Sequence, residues 1–283
     1  HELVTALAAI PILVVARFFT LHIPYTNSGF FCDDDEIRYP DRPSSISSNT
    51  MTLIYGIITL IMVPVSEYSL VRRIQQQLEH VEIRRFRIHP YLVKTTFFYA
   101  AYTCGVLATS VSTNIFKRTS SRLRPNFMAL CRPANLDQLC PLGSNAFIED
   151  FTCLGESSPD QHFSFPSSHS SQSLFFAVYT ILYLHHRLRL APIIRAFAQF
   201  GIFLLSVFIC LSRVRDFKHR YADVMGGGIL GITIAVAMIH LILFNFRPHR
   251  YRAAVVDTAT EISAVVARTR DVSPNTSDYG SIV

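Results

Sequence analysis

The sequence predicts an all-α fold, a polytopic membrane protein with six transmembrane helices. Two observations carry that prediction. Half of the residues are hydrophobic and the mean hydropathy is positive. The apolar residues are also unevenly spread: they gather in blocks of about 20, the length a helix needs to cross about 30 Å of hydrocarbon. The blocks fall at roughly 3–24, 51–70, 91–115, 167–186, 193–211 and 223–246. Together they define one membrane domain, residues 1–252, followed by a tail, 253–283, rich in Ser, Thr, Asp and Asn. That tail is expected to be largely disordered.

Each block has its own character. The first lacks a small-residue cleavage pattern after it, so it reads as a retained span. The second holds Pro64, which a membrane helix tolerates as a kink. The connection 25–50, with Asp33, Asp34, Asp35, Pro40 and Pro43, suits an exposed extracytoplasmic loop. Arg72, Arg73, Arg84, Arg85 and Arg87 follow the second block. Arg187, Arg189 and Arg195 follow the fourth, and Arg247, Arg250 and Arg252 follow the last. With six spans all three groups share one side, and the excess of Arg makes it cytoplasmic, with both termini there. Basic residues on the other side, in 117–132 and 213–220, oppose this rule unless they bind an anion. Cys32, Cys131, Cys140 and Cys153 lie on the outer side, where disulfides persist, and three complete pairings are open to them. Cys104 and Cys210 fall within spans and read as buried thiols.

The formal charge of +6 fits nucleic acid, anionic lipid or a phosphorylated substrate. Only Lys94, Lys117 and Lys218 are lysines, and no soluble module interleaves aromatic and basic residues. Nucleic acid is therefore excluded as a partner, and the lipid bilayer is the expected one.

Three polar islands interrupt the pattern: 117–125 (KRTSSRLRP), 165–171 (FPSSHSS) and 212–223 (SRVRDFKHRYAD). The six-span topology puts all three at the outer ends of spans three to six. Lys117, Arg124 and Arg213 offer a compact charge and two planar forks of donors, a set that suits a tetrahedral phosphoryl group. Arg118, Arg122, Arg132, Arg215 and Arg220 read instead as headgroup-binding or snorkelling residues. Ser167 or Ser168 can cap the fourth span, whose free N–H groups make an anion site. His169 in the first turn can act as general acid. His219 and Asp223 are four apart. On a helix beginning near Lys218 they would touch, and the carboxylate would fix the imidazole tautomer and free the other nitrogen as a nucleophile. No metal-ligand cluster accompanies the histidines, so metal-independent chemistry without a cofactor is expected.

Taken together, these islands resemble the type 2 phosphatidate phosphatase superfamily, in particular its integral-membrane lipid phosphate phosphatases. That pattern is K-x6-RP, PSGH and SR-x5-H-x3-D. Lys117 with Arg124-Pro125, and Ser212-Arg213 with His219 and Asp223, match the first and third. The second reads Pro166-Ser167-Ser168-His169, with Ser168 where Gly is usual. Gly there would permit close backbone approach and positive φ. The resemblance implies a helical-bundle phosphatase core. It implies phosphate binding by Lys117, Arg124, Ser167, Ser168 and Arg213, with His219 as nucleophile, Asp223 as its partner and His169 as acid. It further implies Mg²⁺-independent hydrolysis of lipid phosphates such as phosphatidate, lysophosphatidate, ceramide 1-phosphate and sphingosine 1-phosphate. The site is expected on the extracellular or lumenal face, with the plasma membrane as the expected membrane. The alternative is a weak or inactive relative that binds lipid phosphates and acts through partners. Whether a homo-oligomer forms is left open by the sequence.

Overall fold

The computed structural model describes residues 2–74, 81–83, 86–156 and 158–243, with the side chains of 72–74, 81–87 and 90 outside that description. Six long helices occupy the six apolar blocks. They are α1 (Glu2–Thr20), α2 (Ser48–Ile74), α3 (Pro90–Ser120), α6 (Ser168–Arg187), α7 (Pro192–Arg215) and α8 (Tyr221–Leu241). Two short helices, α4 (Phe127–Cys131) and α5 (Leu136–Leu139), lie in the longest connection. Strand β1 (Phe30–Phe31) pairs antiparallel with β4 (Phe147–Ile148), and β2 (Val81–Ile83) with β3 (Phe86–Ile88). The tail 253–283, Arg84, Arg85, Arg247, Arg250, Arg252 and positions 244–246 of the sixth block lie outside the described residues. So do the side chains of Arg72, Arg73 and Arg87.

Four of the six helices, α1, α2, α7 and α8, are long and apolar enough to cross a membrane. They present large apolar side chains outward, among them Phe18, Leu60, Phe197 and Ile229, a surface that suits hydrocarbon and not water. The other two, α3 and α6, are more polar for a visible reason: their hydroxyls face the inside of the bundle. Thr113 Oγ1 lies 2.9 Å from Ser171 Oγ, and Tyr55 donates to Ser173 Oγ at 2.7 Å. Such bonds let buried polar groups hold helices together where water is absent. In the same core the Tyr55 and Phe176 rings stack with centroids 4.0 Å apart.

Helices α6 and α8 approach most closely where α8 has glycine. A Cβ on Gly227 would collide with the Ser167 backbone, and one on Gly231 with the Ser171 carbonyl. This small-residue seam brings the start of α6 against the start of α8.

Arg187, one of the arginines counted toward the cytoplasmic side, is half of a buried ion pair. Its guanidinium binds both carboxylate oxygens of Glu67 at 2.8 and 2.5 Å, and Tyr183 donates to the same carboxylate at 3.0 Å.

At the opposite end the connections build a small core of their own around Phe30, Ile37, Leu123 and Phe127. Disulfides Cys32–Cys140 and Cys131–Cys153 bind it, selecting one of the three pairings the sequence allowed. Cys104 and Cys210 are buried free thiols.

Candidate active site

The three islands meet at one end of the bundle, where α3 and α7 end and α6 and α8 begin. The segment joining β4 to α6 runs past them and hydrogen-bonds Lys117, Arg124, His219 and Asp223. Lys117, in the last turn of α3 and past the apolar segment 91–115, donates from Nζ to the Phe163 carbonyl at 2.7 Å. The next carbonyl, of Ser164, accepts from His219 Nδ1 at 2.7 Å. Arg124 donates through Nε to the Asp160 carbonyl at 2.8 Å and pairs with the Asp160 carboxylate at 2.7 Å. Ser167 N–H donates to the Asp223 carbonyl at 2.9 Å.

Ser167 is the N-cap of α6, yet its hydroxyl caps no backbone N–H; Oγ is buried without a hydrogen-bond partner among the described residues. Ser168 is the first helical residue and has no positive φ. The conformational freedom that glycine would supply is therefore not used at this position. At the next residue, His169 Nε2 lies 3.4 Å from the Arg213 guanidinium. An arginine only donates, so Nε2 presents its lone pair there.

The turn after α7 explains the spacing between Arg213 and His219. Both Lys218 N–H and His219 N–H return to the Arg213 carbonyl, at 3.0 and 3.2 Å. Phe217, at φ 54°, turns the chain between them. His219 is thereby folded back beside Arg213.

Two expectations about His219 are corrected. Helix α8 begins at Tyr221, so His219 lies in the turn ahead of it and not on its first turn. The Asp223 carboxylate stands 3.9 Å from Nδ1, beyond hydrogen-bond reach, and the Ser164 carbonyl takes its place. A carbonyl only accepts, so Nδ1 carries the proton and Nε2 is left with its lone pair. Asp223 instead braces the segment that carries this carbonyl. Its carboxylate accepts from Ser164 Oγ at 2.6 Å and from Arg220 N–H at 2.9 Å, and pairs with Arg122 at 3.1 Å.

The expectation that Arg118, Arg122 and Arg220 snorkel toward headgroups is also revised. Arg122 pairs with Asp223. Arg220 pairs with Glu36 at 2.6 Å and donates to the Leu123 carbonyl at 2.9 Å. Arg118 donates to the Ile23 carbonyl at 2.6 Å and lies over the Phe163 ring. The connections satisfy these charges because they fold back onto the helix ends.

Burial shapes the electrostatics. Lys117, His169, Arg213 and His219 are all less than a tenth exposed. Burial, with Arg124 and Lys117 alongside, holds the His219 imidazole well below its ordinary 6.5. Burial and neighbouring Arg124 lower the Lys117 ammonium to about 7. A desolvated, cation-rich end of this kind favours an arriving anion. Among the described residues no group of His, Cys, Asp and Glu side chains converges as a metal-binding set. Sequence reasoning missed Ser164 and Asp216. Asp216 lies inside the SR-x5-H motif, so its charge in that loop was the available signal.

Fold and site together define a helix-bundle membrane protein with cations and imidazoles collected at one end of the bundle. Its particular affiliation follows from comparison. The PAP2 superfamily profile matches residues 98–247, a stretch that holds all three islands. This chain belongs to the PAP2 superfamily. It is 29% identical to a putative phosphatidate phosphatase of Drosophila melanogaster over 96% of this chain and 75% of that protein. It is also 29% identical to phospholipid phosphatase 1 of Mus musculus, over 95% of this chain and 93% of the mouse protein. With phospholipid phosphatase 2 of Bos taurus it shares 30% identity over 86% and 82% of the two chains. No solved structure matches the chain.

Proposed function

We propose that this lipid phosphatase hydrolyses lipid phosphomonoesters without metal, through a phosphohistidine on His219. The observation that carries the reading is the bracing of the Lys117 amine and the His219 ring by the adjacent carbonyls of Phe163 and Ser164. One phosphoryl group held by Lys117, Arg124, Arg213 and the start of α6 would stand before His219 Nε2. That nitrogen forms the N–P bond as the P–O bond to the lipid breaks. The leaving alkoxide takes a proton from His169 in its imidazolium form, which the negative charge of the bound phosphate favours. Water then attacks phosphorus, His169 accepts its proton, the N–P bond breaks, and inorganic phosphate leaves.

The substrates in this reading are phosphatidate, lysophosphatidate, ceramide 1-phosphate and sphingosine 1-phosphate. Their chains stay in the bilayer while the phosphate reaches the cations at the helix ends. In this reading the chain spans the plasma membrane six times, the site acts on the extracytoplasmic face and the termini lie in the cytoplasm, which the loop arginines support. The relatives named phospholipid phosphatase support this assignment of substrate class.

The test is a single-turnover reaction of the detergent-solubilised full chain with ³²P-labelled lysophosphatidate, quenched in base to preserve phosphohistidine. An alkali-stable, acid-labile phosphoprotein is expected from the unmodified chain and none from His219→Gln, and EDTA changes neither result. Normal turnover by His219→Gln would end the mechanism.

A further inference from the structure

Arg213 is held by residues that are not among the fixed positions of the recognised motifs. Its guanidinium Nη2 pairs with the Asp216 carboxylate at 2.6 Å, and the two side chains are 3% and 5% exposed. Asp216 is held in turn from another part of the chain. Ser45 N–H donates to Oδ2 at 2.7 Å and Ser45 Oγ donates to Oδ1 at 2.7 Å. The same segment reaches Arg213 itself: its Nη1 lies 3.3 Å from the Ile46 carbonyl and 3.5 Å from Ser44 Oγ. The guanidinium Nε is buried and makes no hydrogen bond among the described residues. One edge of the fork is thus tied down while a donor stays available.

We propose that Asp216 and Ser45 are positioning residues, which aim Arg213 at the phosphoryl group and make the α1–α2 connection a wall of the active site. The inference rests on the reading of Arg213 as a phosphate ligand. Its physical basis is the planarity of the guanidinium. A flexible side chain buried with one edge bound to a fixed carboxylate has little rotational freedom left, so its remaining donors point one way before any ligand arrives. Asp216 cannot choose that direction alone, because it sits in the same turn as Arg213. Ser45, which comes from between α1 and α2, anchors it to the rest of the protein.

The experiment measures affinity for orthovanadate, a phosphate-shaped anion, by thermal shift of the purified full chain in detergent. Melting without vanadate reports folding in the same run. The variants are Asp216→Asn, Ser45→Ala, Arg213→Lys and the double variants. Arg213→Lys and Asp216→Asn are each expected to weaken vanadate about tenfold, and Ser45→Ala severalfold. If Asp216 acts through Arg213, adding Asp216→Asn to Arg213→Lys costs less than about twofold more, because coupled positions do not add. The same coupling should appear as a rise in KM that Arg213→Lys absorbs. A full tenfold further loss in the double variant, or an unchanged affinity in Asp216→Asn, overturns the proposal. If Asp216→Asn does not fold, Ser45→Ala in the same cycle decides by the same criteria. Weakening by Arg213→Lys alone, with no effect of the other two, removes this inference and leaves the phosphate-binding reading intact. No effect of Arg213→Lys removes both.

Discussion

Asp223→Asn separates two ways of holding His219, the proposed nucleophile. In the structure the Ser164 carbonyl binds His219 Nδ1 at 2.7 Å, while the Asp223 carboxylate is 3.9 Å away. The substitution keeps the shape of residue 223 and leaves that carbonyl bond in place. It removes a negative charge that, in the proposed mechanism, faces the positive charge growing on the ring as the N–P bond forms. Two unit charges about 4 Å apart interact by about 1 kcal/mol in water and about 4 kcal/mol at an effective dielectric constant of about 20. Arg122, 3.1 Å from the same carboxylate and 38% exposed, already offsets part of this. A net loss of about 1.4–2.7 kcal/mol is expected, a tenfold to hundredfold fall in kcat. A carboxylate that itself fixed the tautomer would cost far more on conversion to an amide, about 10⁴-fold where this has been measured in the Ser-His-Asp triad. The assay is single-turnover phosphate release from lysophosphatidate in micelles, with thermal melting as a check on folding. A 10⁴-fold loss in a normally folded variant would refute the assignment of ring orientation to Ser164.

Four further outcomes are expected. Because the His219 pKa is depressed, the ring stays neutral as pH falls through 6.5, and protonation removes the nucleophile only lower down. The acid limb of phosphohistidine formation, followed by rapid quench across pH, should therefore lie below 6.5, and a limb above 6.5 would contradict this electrostatic picture. Glu67→Gln strands the buried Arg187 guanidinium and should lower stability by about 3–5 kcal/mol in chemical denaturation; a loss below about 1 kcal/mol would show the pair to be solvated. Gly231→Val must push the Ser171 carbonyl away, so activity should fall at least tenfold as the start of α6 shifts; unchanged kinetics would disprove the tight seam. Ser168→Gly should leave kcat/KM within about threefold, since no positive φ is needed there, and a large gain would show that the Ser168 side chain obstructs catalysis.

Much of this protein is legible in the amino-acid order. The apolar blocks locate the six long helices because helix length and hydrocarbon thickness are linked. The spacing Lys117 to Arg124, and Arg213 to His219 to Asp223, identifies the cations and imidazoles because the intervening turns are short and local. Helix ends were less legible. Helix α3 runs on to Ser120, beyond the apolar residues, because its last turn is held by the connections that fold against it and not by the bilayer. The polarity of α6 looked like that of an outer island running into a span, and only packing shows its serines turned inward.

The sequence by itself determined which side chains can do chemistry and at which end of each helix they stand, since both follow from composition and spacing. Tertiary structure alone decided their partners: Ser164 for His219, Asp216 for Arg213 and Ser45 for Asp216, Glu67 for Arg187, and one disulfide pairing of three. Most of these contacts join residues far apart in the chain, or use a backbone carbonyl that every residue type possesses. Such a partner is chosen by where the folded chain carries it, and no local pattern of side chains records that.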